Sequence, residues 1–173
     1  FDFELEKGWN LFSLPINYNK LAIFLDLIRD KMISLLIFEP DSKIWIIYPN
    51  DTDFDSIQIS GEKGMWINMN NEEVWSYSAE LSDDNQYNLK QGLNLISYFG
   101  VSEETMAHVF GNVMADINKI YFYEDGIWKT YIPGKSGDSL VNVAPGMALW
   151  IDVKGDYVWN FKARDENYFL KVS

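Results

Sequence analysis

Leu5-Glu-Lys-Gly8-Trp9-Asn10-Leu11-Phe12-Ser13 returns 84 residues later as Leu89-Lys-Gln-Gly92-Leu93-Asn94-Leu95-Ile96-Ser97. Three further blocks follow in the same order. Ile44-Trp45-Ile-Ile-Tyr48 matches Ile127-Trp128-Lys-Thr-Tyr131 at an offset of 83. Ile59-Ser-Gly-Glu-Lys-Gly64-Met65-Trp66-Ile67 matches Val143-Ala-Pro-Gly-Met-Ala148-Leu149-Trp150-Ile151, again at 84. Glu-Glu-Val-Trp75-Ser-Tyr is echoed by Asp-Tyr-Val-Trp159-Asn-Phe. Tryptophan is rare, so four ordered blocks in which six of the seven tryptophans pair off mark an internal duplication. The reading divides the chain into copies at 1–84 and 85–173.

Each copy carries the same local signals. Gly-x-Asn-Leu-x-Ser opens an apolar strand after a glycine turn. An amphipathic helix is predicted next, because Leu21, Phe24, Leu25, Ile28 and Met32 share the spacing of Met106, Val109, Phe110, Val113 and Ile117. Ser102 before Glu103 and Glu104 suits a helix start, and Asn17 or Asn19 suits the other. Two strands follow, joined through Glu39-Pro-Asp-Ser in one copy and Glu124-Asp-Gly126 in the other. The Trp-Ile region then leads through a final hairpin to Val-Trp-x-aromatic. The predicted fold is α+β: two tandem β-α-β-β-β-β modules of mostly antiparallel sheet, each covered by one helix and related by a pseudo-two-fold. One sheet running continuously across the pair is the alternative.

Composition narrows the function. The 173 residues are 47% apolar with seven Trp, ten Tyr and eleven Phe, enough for a dense core. A formal charge of −12 repels phosphate backbones and anionic membrane surfaces, so nucleic acid and direct membrane insertion are poor partners. Zero cysteine excludes disulfides, thiolate nucleophiles and Cys-ligated zinc. No apolar run approaches a membrane span. The chain begins at Phe1 instead of Met and reads as an excised or processed piece, with any leader or anchor lying outside it.

The blocks L-x-x-G-W-N-L-x-S, W-x-x-Y and P-G-x-x-x-W-I resemble a repeat of large secreted and cell-surface prokaryotic proteins. The carriers are Leu5 to Ser13, Trp45, Tyr48, Trp66 and Ile67, then Leu89 to Ser97, Trp128, Tyr131, Pro145, Gly146, Trp150 and Ile151. Copy one departs with Gly61-Glu62 for Pro-Gly, and copy two with Leu93 for Trp. The resemblance implies a non-catalytic, extracellular structural, adhesion or binding unit appended to a larger protein, with a protein or polysaccharide partner.

Candidate chemistry is sparse. Asp51, Asp53, Asp55 and Glu62 fall at positions 1, 3, 5 and 12 of an EF-hand-like spacing, which makes calcium the one cofactor suggested. Ser56 replaces the turn glycine, and a strand-like Ile57-Gln-Ile59 follows, so any site is not a true EF-hand. Trp45, Trp66, Trp75, Trp128, Trp150 and Trp159 occupy matched positions and are expected in the core. Trp9 and Tyr18 lack aromatic counterparts and are the candidate ligand-binding residues of an alternative reading, a carbohydrate-binding module. A calcium-stabilised interaction domain is the other alternative. His108, the only histidine, is expected on the polar flank of its helix, with no catalytic triad around it.

Overall fold

Gly8 and Gly92 both adopt left-handed φ, +96° and +87°, a region closed to most side chains. The chain bends sharply just before each of them. Asn10 locks the first bend: its Oδ1 accepts from the Glu6 N–H at 2.8 Å, and its Nδ2 donates to the Glu6 carbonyl at 2.8 Å. Asn94 does the same around Lys90, at 2.8 and 2.7 Å. The repeated Gly-x-Asn is therefore a braced corner between two strands.

The computed structural model describes residues 2–14, 26–49, 62–76 and 84–162. The first half contains β1 (Asp2–Leu5), β2 (Gly8–Ser13), a 3-10 turn (Asp26–Lys31), β3 (Met32–Glu39), β4 (Ile44–Tyr48), β5 (Gly64–Met69) and β6 (Glu73–Ser76). The second contains β7 (Asp84–Leu89), β8 (Gly92–Ser97), β9 (Glu104–Thr105), α1 (Met106–Phe110), a 3-10 turn (Met114–Asp116), β10 (Ile117–Glu124), β11 (Ile127–Tyr131), β12 (Asn142–Val143), β13 (Ala148–Val153) and β14 (Tyr157–Lys162). Two antiparallel four-stranded sheets result, ordered β2-β5-β3-β4 and β8-β13-β10-β11. The same order and register repeat in both: Trp66 lies opposite Leu11 and Leu36, and Trp150 opposite Leu95 and Tyr121.

Alternation along the strands gives each sheet two apolar faces. One face holds Phe12, Leu35, Ile37, Met65 and Ile67 in the first half, and Ile96, Ile120, Phe122, Leu149 and Ile151 in the second, all buried. A two-stranded ribbon accompanies each sheet, β1 with β6 and β7 with β14. Trp75 in the first ribbon meets Phe12 at 6.1 Å, and Trp159 in the second stacks on Tyr87 at 4.8 Å and meets Phe110 at 5.1 Å.

The two sheets meet through reciprocal contacts. The Ser13 N–H donates to the Gly146 carbonyl at 2.9 Å, and the Ser97 N–H donates to the Glu62 carbonyl at 2.9 Å. Phe12 pairs with Met147 and Ile96 with Lys63. Each contact maps onto its mate through the 84-residue offset. At the crossing, a Cβ placed on Gly64 would lie 2.6 Å from the Ala148 Cβ, so the matched positions 64 and 148 face each other. The division after residue 84 falls at the first residue of β7.

The predicted α+β class is corrected by this architecture: the described chain is mostly β, and its one α-helix is the five-residue α1. In both halves the helical spacing runs across an element boundary, because its last members, Met32 and Ile117, begin β3 and β10. Gly111 and Asn112, poor helix formers, follow α1 directly, and the chain completes the path as a 3-10 turn. Leu21, Phe24 and Leu25 lie outside the described residues, as do Asn17 and Asn19. Ribbons bearing Trp75 and Trp159 pack on the two cores, and in the second half α1 adds Met106 and Phe110 to the same core. The final hairpin is corrected as well: β6 pairs with β1 instead of β5, and β14 with β7 instead of β13.

Candidate functional site

The second face of each sheet presents its tryptophans to the other half. Trp66 packs between Tyr123 and Trp128 at 5.1 and 5.9 Å. Trp150 packs between Phe38 and Trp45 at 5.1 and 5.7 Å. Each half thus inserts one tryptophan into the hairpin of the other. The four indoles are not fully covered: Trp45, Trp66 and Trp150 are half-buried, and Trp128 is 48% exposed. With Leu93, Lys119, Tyr121 and Thr130 they line an open groove of about 620 Å³. Lys119 Nζ sits 4.6 Å above the Tyr121 ring, a cation–π contact that places one positive charge in an otherwise apolar wall.

A second cleft, of about 700 Å³, opens where the β1–β2 bend faces the β10–β11 turn. Trp9, 44% exposed, lies in its wall and meets Trp66 edge-on at 6.3 Å. Glu4, Glu6, Lys7, Glu124 and Asp125 contribute polar groups. Glu124 is ion-paired to Lys129.

The structure separates the residues singled out from sequence. Trp75 and Trp159 are buried, 4% and 6% exposed, whereas Trp45, Trp66, Trp128 and Trp150 meet at the groove. Tyr18, Asp51, Asp53 and Asp55 lie outside the described residues. Glu62 is half-buried beside the junction, where its carbonyl accepts from Ser97. Among the described residues no group of three or more His, Asp or Glu side chains is arranged to hold a metal ion. His108 is exposed, with its Nδ1 2.9 Å from Glu104 and its N–H capped by Thr105 Oγ1.

The perturbed phenols sit away from both openings. Burial pushes Tyr98 up to about 12, aided by the Glu104 charge. Burial also holds Tyr87 well above the ordinary phenol range. Tyr87 donates to the Ser97 carbonyl at 2.6 Å, which ties the ribbon to the sheet. Ser97 Oγ is buried with no hydrogen-bond partner among the described residues, whereas Ser13 Oγ donates to the Met147 carbonyl at 2.8 Å.

Of the groove residues, Leu93 and Thr130 fall inside repeat blocks and Lys119 and Tyr121 outside them, and none of the four is a binding candidate from sequence. The one local signal is parity. In Gly64-Met-Trp-Ile-Asn-Met69 the core takes residues 65, 67 and 69, which leaves Trp66 on the opposite face. No family model matches the chain, and neither does any curated protein or solved structure.

Proposed function

We propose that the chain is a non-catalytic binding or adhesion module of a larger secreted or cell-surface protein, and that the four-tryptophan groove takes an apolar segment of a partner protein. The observation that carries this reading is the groove itself: Trp45, Trp66, Trp128 and Trp150, from both halves, left partly open to solvent. Aromatic side chains contribute heavily to binding because they bring large contact area at low entropy cost, and aromatic-lined grooves suit extended peptide segments. The duplication supports a scaffold role, since matched residues of the two copies build the junction around the groove. The resemblance to surface-protein repeats supports the extracellular setting.

Intrinsic tryptophan fluorescence tests the reading. Titration with a panel of apolar and proline-rich peptides is expected to shift the emission for at least one member. Trp128→Ala, a substitution at an exposed position, is expected to weaken that peptide about ten-fold or more. Silence across the panel, or affinity indifferent to Trp128→Ala, removes the groove from the account. Turnover of any peptide or glycan by the chain removes the non-catalytic reading.

A further inference from the structure

The two turns that face the Gly-x-Asn bends differ in length. Four residues, Pro40 to Lys43, separate β3 from β4, and two, Asp125 and Gly126, separate β10 from β11. Asp125 and Gly126 have φ of +53° and +77°, the conformation of a two-residue hairpin whose twist matches its strands. The longer turn reaches the opposing bend and is tied to it. Lys43 Nζ donates to the Gln91 carbonyl at 3.0 Å, and Lys90 Nζ lies 3.2 Å from Asp41. The shorter turn stops short. Among the described residues no hydrogen bond or ion pair joins it to the Glu6–Lys7 bend, and the space left is the cleft of about 700 Å³ walled by Trp9.

We infer that this open cleft is a binding site for an uncharged glycan chain, with the Trp9 indole as its stacking platform. A pyranose ring has an apolar C–H face and a rim of hydroxyls. The indole covers the face, and the edge-on contact with Trp66 holds the indole in place. Glu4, Glu6 and Asp125 line the same cleft and accept hydroxyl protons in charge-assisted hydrogen bonds. The same carboxylates, on a chain of net charge −12, repel anionic glycans. Lys7, also in the wall, offsets part of the pull on cations and favours a neutral chain over a basic peptide. The cleft volume lies within the roughly 300–1,000 Å³ common for small-ligand sites. At the matched place in the other half, Leu93 replaces tryptophan and the longer turn bridges the gap, so the site exists once per chain.

The inference rests on the reading of the chain as a binding module but uses a different surface, and calorimetry on the full chain separates the two. The probes are cellohexaose, xylohexaose and mannohexaose, with an acidic oligogalacturonate and oligolysine as contrasts. One or more neutral oligosaccharides are expected to bind. Trp9→Ala is expected to weaken that binding about ten-fold or more, while Trp9→Phe retains most of it and Trp128→Ala leaves it unchanged. Because Trp9 also touches Trp66, a second variant replaces Asp125-Gly126 with the four-residue Pro40–Lys43 sequence; closing the cleft in this way is expected to abolish the heat. No heat with any neutral probe, binding of oligolysine alone, or affinity unmoved by both variants overturns the inference. Loss of glycan binding through Trp128→Ala alone overturns it too, and moves the glycan to the four-tryptophan groove.

Discussion

Gly64 and Ala148 occupy matched places in the two copies, and at the crossing of the sheets they touch. A Cβ on Gly64 would stand 2.6 Å from the Ala148 Cβ and 2.9 Å from the Ile96 carbonyl oxygen. The second obstacle is backbone and has little freedom to give way. The junction needs this closeness, because the Ser13 and Ser97 N–H groups reach the opposing carbonyls there. Gly64→Ala is therefore expected to destabilise the chain by about 1–3 kcal/mol, the usual range for overpacking a filled interior. Ala148→Gly relieves the contact, so the double variant is expected to recover part of the loss. Urea denaturation of the three variants checks this. Equal midpoints for Gly64→Ala and the parent would mean that the sheets can separate without cost. Neither residue draws notice in the sequence, since small residues in turns and strand ends are common; the repeat alignment matches them, and the fold sets them against one another.

At the scale of elements, the tryptophan blocks were legible and the covering layer was not. The duplication could be read because rare residues recur in order, and the strands around Trp45, Trp66, Trp128 and Trp150 follow from it. The predicted helical stretches overran their ends, because the spacing 3, 1, 3, 4 finished on Met32 and Ile117, which open strands. The groove was hidden for a related reason. Met65-Trp-Ile67 and Leu149-Trp-Ile151 are apolar on both parities, so nothing local says which face is closed and which is shared. The Trp9 cleft left a faint trace: the offset between the copies drops from 85, between Glu39 and Glu124, to 83, between Ile44 and Ile127, across the hairpin turns. With ribbons as covers, Trp159 and Trp128 should behave differently despite belonging to the same repeat. Trp159→Ala removes the stack on Tyr87 and the contact with Phe110 and is expected to cost about 3–5 kcal/mol. Trp128→Ala, at a position 48% exposed, is expected to cost roughly 1 kcal/mol or less. Thermal melts of the pair give the ranking, and a reversed order would return the lid role to another element.

Tyr87 and Tyr98, two phenols that burial holds up, lie close to the junction of the whole molecule, and this makes stability sensitive to alkali. Tyr87 donates to the Ser97 carbonyl, and the Tyr98 N–H donates to the Met147 carbonyl at 3.1 Å, so both lie on the seam between the halves. Burial keeps both phenols protonated beyond their ordinary value of 10.0, Tyr98 up to about 12 and Tyr87 in the same direction. In the unfolded chain each ionises near the ordinary value. Below pH 10 both states hold the proton and the contribution is complete. Above it the unfolded state releases protons that the folded state retains, so stability falls as pH rises toward 12. Lys90, whose ammonium is held up by Asp41 and Asp156, and Tyr131, held up by burial and the Asp138 charge, act in the same direction, so the parent slope alone does not isolate these two phenols. Tyr98→Phe does isolate one of them. The urea midpoint of the parent is expected to drop steadily between pH 10 and 12. In Tyr98→Phe the drop is expected to be shallower over the same interval, although loss of the 3.2 Å bond to the Ser102 carbonyl lowers the midpoint at neutral pH. Parallel slopes for parent and variant would show that Tyr98 titrates freely, and that the seam between the two halves opens to water before the rest of the fold is lost.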